Sequence, residues 1–228
     1  MLEQHELKRL EAECRRLPAS RVRDEESHVM ESPILILMST VLSLNRKWYT
    51  QALPARQRFE RDVYPSLSPR TLKRFREFVR DASANESDWS RLAQTLWKTN
   101  EWGKARMLSE LVVYFIGWRE SNAPELEELK ALQQWALCTP KEQFVGRIKG
   151  LGPRAYEQLL WYLEGTQAIK LDRHVVSFVG EVVGRPIPEE ETVMALREVA
   201  SRIGISATAL DARIWDYMQS GKGRALTR

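Results

Sequence analysis

The chain has 2 cysteines and 3 histidines in 228 residues. Cys14 and Cys138 lie far apart, so no zinc or iron–sulfur spacing exists and a disulfide framework is excluded. A reduced, intracellular protein is expected. Strand-type alternation and Asn-Gly hairpin signals are also missing. The one long apolar run, Pro33–Leu44, is too short to span a bilayer. It follows a leader rich in Glu and Arg, which does not read as a signal peptide. Internal repeats and low-complexity tracts are not evident.

What remains is a mildly basic, helix-patterned chain. Its net charge is +4 and its pI is near 9.1. That balance permits nucleic-acid binding without requiring it. Arg56, Arg58, Arg61, Arg70, Lys73, Arg74, Arg76 and Arg80 cluster in one stretch. Glu60, Asp62, Glu77 and Asp81 interleave with them, which reads as a solvated face. Helical spacing is expected over 2–16, from Pro33 to about Asn45, over 70–82, from Asp88 or Ser87 past Trp97, and over 104–118. Further helices are expected from Pro124 through Ala136, around the glycines at 150 and 152, from Val175 to Val183, and over 189–203 and 206–219. Pro54, Pro65 and Pro69 suggest a loop-rich region between the second and third of these. Most of the 8 tryptophans fall at helical spacing and are expected in the core, with one or two left to line a pocket.

Phe144–Leu160, FVGRIKGLGPRAYEQLL, carries the most information. Gly150 and Gly152 flank one apolar residue, Leu151, between two apolar helical patterns. Gly150 can take backbone angles closed to other residues, and Gly152 allows close approach of a ligand. Free amides at the start of the following helix favour an anion there. Pro153 suits a first helical turn, and Arg154 adds charge. A plain interhelical turn would produce the same pattern. Asp172, farther on, reads either as a helix N-cap or as a carboxylate fixed at the mouth of a cleft.

The order Ile148-Lys149-Gly150-Leu151-Gly152-Pro153-Arg154-Ala155, then Leu171-Asp172-Arg173-His174-Val175, resembles the helix–hairpin–helix, Gly/Pro-rich, Asp superfamily of DNA glycosylases, the endonuclease III-like proteins. Pro33–Ser43 is similar to the family's early core helix, and Gly103-Lys104-Ala105 to a second recurring segment. The resemblance covers roughly 33–183. It implies an all-α fold of two helical lobes: a barrel over 34–165 that contains the helix–hairpin–helix, and a second lobe from 1–33 plus 166–228. It implies a double-stranded DNA partner carrying a modified or mismatched base, which is flipped into a cleft. Asp172 becomes the catalytic residue, stabilising an oxocarbenium-like transition state or assisting water. Gly150, Leu151, Gly152, Arg154, Lys149, Lys170 and Arg173 become DNA contacts. A Na+ or K+ ion at the backbone of Ile148 and Gly150 also follows from the resemblance. Asn45 is a wedge that enters the stack or, alternatively, a helix C-cap. Asn100 stands where relatives place a second intercalating loop. His174 is expected to pack or to face phosphate.

Two departures shape the expectation. Bifunctional members carry a lysine two residues after the second glycine; this chain has Arg154, a poor amine nucleophile. A monofunctional glycosylase without strong lyase activity is therefore expected. Lys149 and Lys170 are either substitutes for that lysine or phosphate contacts. The four-cysteine cluster is missing, so no iron–sulfur cluster is expected. A monomer in the cytoplasm or on the nucleoid completes the reading. Its rivals are a non-catalytic DNA-binding protein of the same fold and a helical protein-interaction domain in which the hairpin is only a turn.

Overall fold

In the computed structural model, the described residues are 2–20, 28–83, 88–163, 169–171 and 173–220. They are helical, and no strand occurs among them. In chain order the helices are α1 (Gln4–Arg16), α2 (Pro33–Ser43), α3 (Leu53–Asp62), α4 (Leu72–Ala82), α5 (Trp89–Trp97) and α6 (Trp102–Asn122). These are followed by α7 (Glu128–Cys138), α8 (Lys141–Phe144), α9 (Pro153–Leu163), α10 (Arg173–Val183), α11 (Glu189–Ile203) and α12 (Ala207–Gln219). The chain forms two compact units, residues 28–163 and residues 1–27 with 164–228. Sequence reasoning had put these breaks at 33/34 and 165/166.

The unit of residues 28–163 is organised around α2. Every residue from Pro33 to Leu42 is buried, and α2 packs against α3, α4, α6, α7 and α9. A helix apolar on all sides is stable only when surrounded in this way. Ser32 caps it, its hydroxyl accepting from the Leu35 amide at 3.3 Å. On α4, Leu72, Phe75 and Val79 share one buried face. Thr71 caps that helix, and the Glu128 carboxylate accepts from the Leu72 amide at 2.7 Å. A second core layer is aromatic: Phe115, Trp135, Phe144 and Tyr156 meet at centroid separations of 4.9–5.9 Å.

The other unit packs α1 against α10 and α11, with α12 against both of the latter. Leu7, Leu10 and Cys14 from α1 join Val175, Phe178, Val179, Leu196, Val199, Leu210 and Ile214 in its core. Burial pushes the Cys14 thiol up to about 12, so it behaves as a small apolar side chain. At the N-terminus of α1, Glu6 bonds back to the Glu3 amide at 2.8 Å and receives Arg185 at 2.8 and 3.0 Å. Those hydrogen bonds hold the Glu6 carboxyl near 2.

Four sequence expectations are corrected. The region around Pro54 is not loop-rich: α3 begins at Leu53, and Pro54 sits in its first turn, where no amide partner is needed. Pro124 does not open a helix, because α7 starts only at Glu128. The pattern entering the hairpin is not a sustained helix. It stops at Phe144 after one turn, and Gly146 follows with φ +88°. The basic stretch is not uniformly solvated: Arg56 is buried, 3.0 Å from Glu60 and over the Trp48 ring.

Candidate functional site

The hairpin of residues 145–152 links α8 to α9. Gly150 has φ +100°, outside the range open to a side chain, and a Cβ there would lie 2.7 Å from the Met107 sulfur. The backbone angle favours glycine, and any side chain would also displace Met107. At Gly152 a Cβ would meet nothing within 4 Å, so that backbone faces open space. The two glycines therefore differ: Gly150 shapes the turn, and Gly152 leaves its surface clear.

Leu151 and Ile148 are buried, and the Leu151 amide donates to the Ile148 carbonyl at 3.0 Å. This pins the turn to the core through Leu151. The side chain expected at DNA is thus an internal anchor, with its amide already engaged. Ala155, at zero exposure, lets α9 pack closely behind it. The Gly152 carbonyl accepts from the Ala155 amide at 3.0 Å and so opens α9, with Pro153 in the first turn. The amides of Gly150, Gly152 and Arg154 find no acceptor among the described residues. Lys149 and Arg154 are exposed, and neither side chain pairs with another described residue. Free amides, a helix N-terminus and two unpaired cations share one turn. That set suits an anion such as phosphate.

The first two turns of α6 brace this turn and the end of α2. Arg106 donates to the Lys149 carbonyl at 3.0 Å, and Met107 fills the space beside Gly150. Lys104 reaches the end of α2, donating to the Val41 and Leu44 carbonyls at 2.9 and 2.5 Å. There a cation answers the negative helix end. Glu101, just before α6, accepts from Arg46 Nε at 2.8 Å. The segment after α2 and the segment before α6 are thereby held side by side.

These two segments carry Asn45 and Asn100, both exposed. Asn45 has φ +55° one residue beyond the C-cap Leu44, the left-handed position where asparagine commonly ends a helix. The Asn100 amide oxygen accepts from Gln94 at 2.6 Å. Trp102, beside it, is 55% exposed and is the large apolar side chain of this corner.

Burial, with Arg46 adding like charge, pushes the Lys104 ammonium down to about 8. The unfolded side chain holds its proton to about 10.5. The cost of burying the cation is therefore complete below pH 8 and is relieved as pH rises from 8 to 10.5. Denaturant unfolding of the native protein and Lys104→Met checks this. The stability difference should move in the native protein's favour between pH 8 and 10. A flat or opposite trend would contradict it.

In the unit of residues 1–27 and 164–228, Arg173 opens α10, exposed and unpaired among the described residues. His174 Nε2 lies 3.0 Å from Gln219 Nε2. Lys170 is half-buried and makes protein contacts. Asp172 lies outside the described residues.

A family model described as Domain of unknown function (DUF8548) matches residues 124–219. The matched stretch contains the whole hairpin and Asp172. No curated protein and no solved structure matches the chain. Among the described residues, no three His, Cys, Asp or Glu side chains are placed to hold a metal, and no helix is long and apolar enough to cross a membrane.

Sequence reasoning missed Arg46, Arg106 and Met107 as organisers of the site. Their spacing carries no signal, because each acts on a segment remote in sequence. Lys104 stood in a motif, but its partners did not.

Proposed function

We propose that the protein is a monofunctional DNA glycosylase that hydrolyses the N-glycosidic bond of a modified or mismatched base in duplex DNA. The observation that carries this reading is the hairpin: a glycine-only turn presenting free amides and unpaired Lys149 and Arg154 at the N-terminus of α9. Those groups suit a backbone phosphate, which positions DNA without reading sequence. The paired Asn45 and Asn100 segments, with exposed Trp102 at the start of α6, offer side chains of the kind that fill a vacated stack.

In this reading the target nucleotide leaves the helix, because the glycosidic bond is shielded in stacked DNA. The bond to the base breaks and the base departs with the electron pair. Water adds to the anomeric carbon and loses a proton. The Asp172 carboxylate stabilises the positive charge that builds on the sugar or orients that water. Arg154 stays protonated and forms no Schiff base, so the product is an abasic site in an intact strand. A Na+ or K+ ion fits the hairpin carbonyls. That of Gly150 accepts no hydrogen bond from the described residues, and that of Ile148 accepts one. Such an ion would add positive charge beneath the phosphate. No iron–sulfur cluster takes part in this scheme, and the enzyme acts as an intracellular monomer.

The test is a panel of duplexes carrying uracil, alkylated, oxidised and deaminated bases, with release of free base as the readout. Release from at least one duplex, with strands intact until alkali is added, is expected. Arg154 in place of the lysine favours one alternative, a DNA-binding protein of this fold without catalysis. Binding across the panel with no base released would establish that alternative.

A further inference from the structure

The unit of residues 28–163 carries a groove of about 1180 Å³ that the hairpin reading does not use. α4, the start of α5, the middle of α6 and the segment before the hairpin form its walls. Its cations are Lys73, Arg76, Arg80 and Arg147, all exposed. Two carboxylates also line it, but each meets an arginine from outside the lining: Glu77 with Arg74 at 3.0 Å, and Glu110 with Arg106 at 3.7 Å. Lys73 and Arg76 pair with no described side chain. Arg147 spends only its Nε on the Gln143 carbonyl, at 3.1 Å. Arg80 Nε lies 3.5 Å from the exposed Asp81, outside the lining, so Lys73, Arg76 and Arg147 carry the groove's uncompensated positive charge.

Its aromatic lining is equally distinctive. Trp97 donates to the Met38 sulfur, Trp135 sits in the aromatic core, Trp161 meets Tyr162, and Trp48 lies under Arg56. Trp89 and Trp118, by contrast, are half-buried in the groove wall. Neither ring has an aromatic or cationic partner among the described residues, and neither indole N–H has an acceptor there. Tyr114 accepts from Trp135 at 3.1 Å and keeps its own hydroxyl hydrogen for a ligand.

We propose that this groove binds single-stranded nucleic acid, with bases stacked on Trp89 and Trp118 and phosphates on Lys73, Arg76, Arg80 and Arg147. Exposed cations with interleaved aromatic rings are the ordinary means of holding a strand without regard to sequence. Stacked duplex cannot offer base faces to the wall, and an acidic peptide would leave both indole rings unused. The site is larger than a typical small-ligand pocket, as a polymer requires. Arg147 and Ile148 place its edge in the same loop as Gly150. The inference stands apart from base excision.

Fluorescence anisotropy with a labelled oligothymidylate of about twelve nucleotides tests it, since sites of this kind cover roughly 4–16. Three or four phosphate contacts predict a roughly 20- to 50-fold loss of affinity between about 50 and 200 mM salt. Arg76→Glu with Arg80→Glu should weaken binding at least about tenfold and flatten that salt dependence. Trp118→Ala should cost roughly 5- to 100-fold. Lys149→Glu with Arg154→Glu should leave oligothymidylate binding intact while weakening duplex binding, which separates the two sites. Thermal melts confirm folding, and Trp89→Ala supplies the stacking readout if Trp118→Ala does not fold. Unchanged affinity in the charge-reversed variant would overturn the proposal. So would stacking variants without effect, or oligoglutamate competing as well as the strand itself.

Discussion

Asp172→Asn should abolish base release, by at least about a thousandfold, while leaving folding and duplex affinity nearly unchanged. Asparagine keeps the size of the side chain and caps helices as readily as aspartate does. Only the negative charge is lost. A charge aimed at a developing oxocarbenium ion acts in the transition state and not in the ground-state complex, so kcat should fall without a matching loss of binding. Single-turnover base release and anisotropy on the same duplex separate the two quantities. Equal losses of binding and rate would mean that Asp172 serves the fold rather than the chemistry.

The second large effect is expected at Gly150. Gly150→Ala places a side chain at φ +100° and against the Met107 sulfur at 2.7 Å. Methionine is flexible and can yield, but the backbone angle cannot be relieved without remaking the turn. A loss of about 1–3 kcal/mol in stability follows. Duplex binding should fall with it, because the amides of Gly152 and Arg154 would be re-aimed. Gly152→Ala should behave differently. Nothing lies within 4 Å of its added methyl, and its φ is not positive, so stability should hold within about 0.5 kcal/mol. The methyl would stand where a phosphate approaches, and duplex affinity should drop. Urea unfolding and duplex titration of both variants read this contrast. If both lose stability alike, or if Gly152→Ala binds duplex normally, the hairpin is only a turn.

The helical class was legible from the sequence because apolar spacing alone sets which face a helix buries. The caps at Ser32, Thr71, Asp88 and Ser206 show the same local grammar: each side chain accepts from an amide three residues on. Prolines misled in both directions. Pro54 lies inside the first turn of α3, whereas Pro124 precedes α7 by several residues, and the dipeptide context does not distinguish these cases. At the site, the need for glycine at position 150 was legible, but its neighbour was not, since Met107 is 43 residues earlier and reaches the turn only in the folded unit. Leu151 lay in a motif expected at DNA and instead faces the core. The groove was invisible for the same reason. Its cations come from α4 and the hairpin approach, its indoles from α5 and α6, and only packing brings them together. The eight tryptophans gave no sign of which would lack a partner.

The most direct test of the central claim is alkali-revealed cleavage of labelled lesion duplexes, measured in single turnover for the native protein and Asp172→Asn together. The account predicts alkali-labile sites on at least one duplex with the native protein, intact strands without alkali, and neither product with Asp172→Asn. Alkali-labile sites formed equally by both proteins would contradict it, as would a complete absence of them on every duplex that the native protein binds.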